Sequence, residues 1–143
     1  MEKLNPVTAA LMTERFGHDS LIALATTAGT VPQVRTVNAY YENGSFYIIT
    51  HAGSAKMQQL RDNPLAAVCG DWFTAHGIGE NLGWIGDPAH AALALKLKTA
   101  FASWYGNGHI NEDDPHTVIL RVHLTDGVLF HHGTRYEVDF SEG

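Results

Sequence analysis

Cysteine is almost missing from this chain: Cys69 stands alone among 143 residues. No intrachain disulfide can form, and a reducing compartment is the expectation. Basic residues are also scarce. Nine Lys and Arg face fifteen Asp and Glu, for a net charge of −6, which argues against a nucleic-acid partner, since non-specific binding to phosphate backbones needs a basic face. No apolar run approaches the roughly 20 residues of a membrane span. The opening Met1-Glu2-Lys3-Leu4-Asn5-Pro6 lacks an apolar signal core. A cytoplasmic chain without a membrane partner is therefore expected. The 45% hydrophobic and 17% charged content is an ordinary globular balance, which excludes disorder. The length suits one domain over residues 1–143.

Against that acidic background, one basic cluster stands out. Arg35, Lys56 and Arg61 fall within residues 33–64, whereas residues 65–95 hold no Lys or Arg. Asn43-Gly44, flanked by Val34–Tyr41 and Phe46–Thr50, is the strongest hairpin signal, because a two-residue type I′ turn needs positive φ at both central positions. Counting outward sets Glu42 against Ser45, Tyr40 against Tyr47, Val37 against Thr50 and Arg35 against Ala52. Gly53-Ser54 then leads into a short helix, Ala55–Arg61, stopped by Asn63-Pro64, with Ser54 as a suitable N-cap. Arg35 is thereby carried toward a helix N-terminus whose first turn holds Lys56. The helix dipole places about half a positive charge at that end. Two cations, a hydroxyl and free N–H groups converging on one spot favour an anion, most naturally a phosphate.

Elsewhere, Asn5-Pro6 opens a helix to about Arg15, with Gly17 past its end. Strands are expected at Leu21–Thr27, Leu65–Cys69 (buried on both faces), Glu80–Gly86, His116–Leu124, Val128–His132 and Arg135–Phe140. Asp126-Gly127 reads as a second I′ hairpin, and residues 71–79 show no clean period. Asp87-Pro88 opens the longest helix, with Ala89, Leu93, Leu97, Phe101 and Trp104 on one stripe. Tight hairpins imply antiparallel pairing, and a sheet of this size escapes its edges by closing. The expected fold is mainly β (α+β): an antiparallel β-barrel with one long and two short helices.

Thr26-Thr27…Gly29…Pro32-x-Val34-Arg35-Thr36-Val37, Gly44-x-Phe46-Tyr47-x-x-Thr50, Ser54-x-Lys56 and Asn63-Pro64-x-x-Ala67, in that order, resemble the FMN-binding split-barrel superfamily. That superfamily holds pyridoxamine 5′-phosphate oxidase and smaller general stress proteins, and the similarity is to the smaller branch. The resemblance implies a split, Greek-key-like barrel and a homodimer with FMN at the subunit interface. It implies that Arg35 and Lys56 hold the FMN phosphate with help from Ser54 and the Ala55 amide. The Val34, Arg35, Thr36 and Val37 backbone would border the flavin ring, and Ile49 and Thr50 the ribityl chain. Asn81 would stand near where the oxidases reach FMN from the second subunit, offset by an apparent two-residue insertion. The oxidases' C-terminal substrate pattern is not recognisable, which argues against pyridoxamine-phosphate oxidation.

A flavin carries the redox step itself, so no catalytic side chain is nominated. Three functions follow: an FMN-dependent oxidoreductase taking electrons from a small-molecule donor such as a reduced nicotinamide, a non-catalytic flavin carrier or sensor, and a relative using F420 or haem. Trp72, Trp84, Trp104 and Tyr105 are candidates to border a substrate, although the stripe favours core packing for Trp104. No metal site is expected. His131 and His132 should face opposite sides of a strand, and His76, His90 and His109 show no ligand spacing. His18-Asp19-Ser20 cannot form a triad from consecutive positions, and Gly77-x-Gly79-x-x-x-Gly83 misses the dinucleotide spacing. Cys69 reads as an inert core residue.

Overall fold

A computed structural model describes residues 1–141. After a two-residue strand β1 (Glu2–Lys3), Asn5 starts α1 (Pro6–Phe16): its Oδ1 accepts the Val7 and Thr8 N–H groups, and the Thr8 hydroxyl accepts the Asn5 N–H. There follow β2 (Ser20–Ala28), β3 (Val31–Glu42), β4 (Ser45–His51), α2 (Ala55–Asp62), β5 (Leu65–Gly70) and β6 (Phe73–Trp84). A 3-10 turn (Pro88–His90), α3 (Ala91–Ala100), α4 (Ala102–Tyr105), β7 (Thr117–His131) and β8 (Thr134–Asp139) complete the chain.

The sheet runs β1-β8-β7-β4-β3-β2-β5-β6, and β6 pairs back onto β7. Six strands thus close into a barrel, with β1 and β8 as additions, and every pairing but β1–β8 is antiparallel. The mainly β fold expected from the hairpin pattern is the fold observed. Among the described residues no helix is long and apolar enough to cross a membrane.

The barrel interior is filled from alternating strand positions, including Leu24, Phe46, Leu120, Val122, Leu124 and Leu129, all fully buried. Phe16 of α1 reaches in, its ring 5.5 Å from Phe46 and 5.4 Å from Phe73. A second, smaller cluster joins Ala94, Leu97 and Phe101 to Ile85 and Ile119. Leu93, Leu97, Phe101 and Trp104 of the expected stripe do pack there, but Ala89 is exposed in the 3-10 turn, α3 starts only at Ala91, and the helix breaks at Phe101, between α3 and α4.

Asn43 and Gly44 take φ of 47° and 83°, the turn their identities demand. Its register, however, persists for three pairs only: Tyr40–Tyr47, Tyr41–Phe46 and Glu42–Ser45. The expected pairs Val37–Thr50 and Arg35–Ala52 do not form. Beyond Tyr40 the strands part, because β3 follows β2, with Arg35 opposite Leu24, while β4 follows β7 as far as His51–Thr117. A tight turn fixes the nearest pairs; sheet twist and the other neighbours decide the rest.

Four further expectations are corrected. Asp126-Gly127 is not a hairpin but lies inside the 15-residue β7. The ladder to β6 passes from Leu124 to Asp126 there, leaving Thr125 as a bulge. A Cβ at Gly127 would stand 3.0 Å from the Thr74 carbonyl oxygen and 3.1 Å from the Phe140 ring, so close packing, not a turn, favours the glycine. Residues 71–79, which show no clean period, are strand from Phe73 onward and run on into the strand expected from Glu80, as the single β6 (Phe73–Trp84). Cys69 is exposed and β5 is buried on one face only, through Ala66 and Val68. His131 and His132 stack at 4.0 Å, since His132 sits in the turn at φ 47° instead of continuing the strand.

Candidate functional site: the opening between β3 and β4

Where β3 and β4 separate, they leave a cavity of about 530 Å³. Val37 and Asn38 wall it from β3, and Ile48 and Ile49 from β4. Lys56 enters from α2, and Trp104, Asn107, His109 and Ile110 close it from the segment around and after α4. Trp104 is fixed there by its Nε1–H, which donates to Asp19 Oδ2 at 2.9 Å, while Asp19 Oδ1 accepts from Asn38 Nδ2 at 2.9 Å. Asp19 thus ties the cavity roof to its wall. The Phe101 ring stacks on Trp104 at 4.9 Å from the core side. Trp104 does both jobs: it packs, and it borders the cavity.

The electrostatics of the cavity floor are unbalanced. Lys56 is partly buried, and among the described residues neither it nor Arg35 lies within 4.0 Å of a carboxylate. Desolvation, and secondly the nearby Arg35 guanidinium, hold the Lys56 ammonium below its usual 10.5. Arg35 is the charged group whose field acts on Lys56, and it is not among the residues lining the cavity. Burial also lowers the Arg35 pKa, although a guanidinium stays protonated throughout the accessible range.

The route that brings them together is not the β3–β4 register. Arg35 Nη1 donates to Thr26 Oγ1 at 2.7 Å and to the Leu24 carbonyl at 3.3 Å, and Nη2 donates to Gln59 Oε1 at 3.1 Å. Thr26 Oγ1 donates in turn to Gln59 Oε1 at 2.5 Å. Three hydrogen bonds therefore orient a guanidinium across the β2–β3 ladder onto α2. Gln59 lies three residues after Lys56, on the same helical face, and that spacing was the sequence signal available for it. The residues of the closing segment, Asn107, His109 and Ile110, carried no such signal.

Ser54 stands at the N-cap of α2 with extended backbone, yet its side chain makes no capping bond. Its Oγ is instead 3.4 Å from Thr50 Oγ1, so two hydroxyls meet at the start of the helix. Ala55, the first helical residue, is exposed. Val34 and Thr36 alternate away from Arg35 and Val37: Val34 is 70% exposed and borders a groove of about 380 Å³ with Ala23, Ala25, Ala67 and Cys69 on the outside of the barrel. Asn81 lies on β6, outside the cavity lining, at a bulge where its Oδ1 accepts the Gly83 N–H at 2.8 Å.

No family model matches the sequence, and no curated protein matches it. Solved structures do. General Stress Protein 26 from Bacillus anthracis superposes with a TM-score of 0.62 at 16% identity, over 83% of this chain and 90% of that one. An FAD-binding protein from Mesorhizobium loti gives 0.61 at 19%, over 87% and 92%. An F420 reductase gives 0.62 at 19%, over 80% and 94%. Identities this low speak for the fold alone: the chain has the split barrel that the sequence resemblance implied.

Proposed function

We propose that this chain binds FMN, with the phosphate at the Arg35–Lys56 corner, and works as a homodimeric flavin-dependent oxidoreductase. The observation that carries the reading is Lys56, a partly buried cation with no carboxylate partner among the described residues, directed into a cavity beside a helix start without a side-chain cap. Placing a charge where water is reduced costs free energy unless an opposite charge arrives. A phosphate of about −1.5 to −2 charge meets that need. Lys56 supplies a mobile ammonium, Arg35 an oriented guanidinium, and Ser54 with the Ala55 N–H the neutral donors. The β3 backbone from Val34 to Val37 borders the ring, Ile49 and Thr50 the ribityl chain, and Asn81 serves the site of the second subunit. A bound flavin would supply the electron transfer; the protein's share is to hold it and exclude water beneath Trp104.

The visible spectrum of the purified protein, and of the ligand released by heat, tests this directly. Bound oxidised flavin is expected, bleached anaerobically by a reduced nicotinamide. A flavin that resists bleaching leaves a carrier or sensor, a deazaflavin spectrum replaces FMN with F420, and a Soret band overturns the reading.

The dimer rests on the outer barrel face, where Leu21, Val34 and Leu65 are 66%, 70% and 60% exposed around the alanine-lined groove. Small side chains there let a second sheet approach closely, and a second copy is the proposed occupant. Light scattering is expected to give twice the 15.6 kDa chain mass, and Leu65→Glu is expected to give monomers with weakened FMN binding. A wild-type monomer that binds FMN fully would overturn the dimer.

A further inference from the structure

The β4–β7 ladder does one thing that the flavin reading does not use. It pairs His51 with Thr117, and the Ala52 N–H donates to the His116 carbonyl at 2.8 Å. His51 is thereby set beside His116 and Asp114, 63 or more positions away in sequence. One ligand atom from each of the three lies within 4.8 Å of the others. The Asp114 carboxylate reaches both rings, 3.7 Å from His51 Nε2 and 3.2 Å from His116 Nδ1.

From these distances we propose that His51, Asp114 and His116 form a binding site for a borderline divalent cation of the Zn²⁺ type. Zinc bonds of about 2.0–2.2 Å at tetrahedral angles hold neighbouring ligand atoms roughly 3.3–3.5 Å apart. The two separations, one to each carboxylate oxygen, lie on either side of that value, and all three ligand atoms are within 4.8 Å of one another, so rotation of the exposed rings can bring them onto one ion. Two imidazoles and one carboxylate match the donor preference of such ions, with water completing the shell.

The three ligands are also held before any ion arrives. Asp114 Oδ1 accepts the His116 N–H at 2.9 Å, and its backbone carbonyl accepts the Thr117 N–H at 2.9 Å. The two rings lie 5.6 Å apart at 33°. His51 Nδ1 accepts the Gly53 N–H at 2.9 Å, which places the proton of neutral His51 on Nε2. Coordination through Nε2 requires the other tautomer: the proton moves to Nδ1, the Gly53 hydrogen bond is given up, and no net proton leaves. Losing that bond lowers the affinity by about an order of magnitude.

That exchange supplies a local readout, because Gly53 is the residue before the α2 N-cap. Titration of the chelator-treated, untagged full chain with Zn²⁺ is expected to show one site, with the Gly53 amide resonance shifting in step with occupancy. His51→Asn keeps an acceptor for the Gly53 N–H but removes the ligand, and Asp114→Asn keeps the acceptor for the His116 N–H but removes the charge. Each is expected to weaken that site by about 10- to 100-fold while leaving the circular dichroism spectrum unchanged. Loss of the site in both variants supports the assignment. Equal affinity in either folded variant, or binding that leaves the Gly53 amide unmoved, overturns it and places the ion on other histidines.

Discussion

Lys56→Ala is expected to weaken the proposed FMN binding by about 10- to 100-fold, and Arg35→Ala to do the same by a different route; fluorescence quenching of free FMN on titration measures both. A hydrogen bond to a charged group contributes roughly 1.5–3 kcal/mol, which spans that range. For Lys56 the loss is direct, because nothing among the described residues holds its ammonium. Arg35 is already bound to Thr26, Leu24 and Gln59, so its removal also frees Gln59 on the helix that carries Lys56. Stability should move the opposite way. The Lys56 pKa is below 10.5 in the folded chain, so folding disfavours its charged form. That penalty is complete at pH values below the folded pKa and fades as pH rises through it toward 10.5. At neutral pH the ligand-free Lys56→Met variant is therefore expected to unfold at higher denaturant than the wild type. A residue that weakens the empty fold and strengthens the occupied one is a binding residue. Unchanged FMN affinity in both alanine variants would remove the phosphate site from this corner.

Local chemistry announced part of this corner and tertiary geometry made the rest. Asn43-Gly44 specifies its turn because few residue pairs accept two positive φ angles, and Asn5-Pro6 and Asn63-Pro64 mark helix ends for equally local reasons. Information of that kind decays within a few residues. Three pairs past the turn, β3 and β4 answer to β2 and β7, and the cavity exists because they do. With that register lost, Arg35 is oriented instead by Thr26 and Gln59, the latter on the helix that carries Lys56. Asp126-Gly127 misleads for the converse reason: glycine supports a turn and a close backbone approach alike, and only the packed neighbours Thr74 and Phe140 distinguish them. The apolar strand around Cys69 suggests a core residue, yet an apolar strand facing an outer groove looks the same in sequence. The His51–Asp114–His116 group is invisible to spacing rules, which find ligands on one helix or one loop and not across a ladder.

Phe46→Ala carries the largest expected effect on the fold, about 3–5 kcal/mol, against a total of roughly 5–15 kcal/mol for a domain. Phe46 is fully buried, with rings of Phe16 and Tyr41 at 5.5 Å and of Phe73 at 6.4 Å. The cavity left behind touches α1, β3 and β6 together, so no single element can collapse into it. Thermal unfolding is expected to fall by roughly 10–20 °C, and Phe46→Leu, which keeps most of the volume, by less than half as much. The consequence reaches the binding site, because Tyr41–Phe46 is one of only three pairs joining β3 to β4. Weakening that clasp loosens the closed end of the opening in which Lys56 stands. Ligand present at 100 times its Kd adds about 2.7 kcal/mol to the folded state. FMN should therefore recover part of the melting temperature lost in Phe46→Ala and much less of it in a Phe46→Ala, Lys56→Ala double variant, where a 10- to 100-fold weaker Kd leaves only about 0.4–1.4 kcal/mol at the same concentration. Equal recovery in the two would show that the flavin is held without the ammonium.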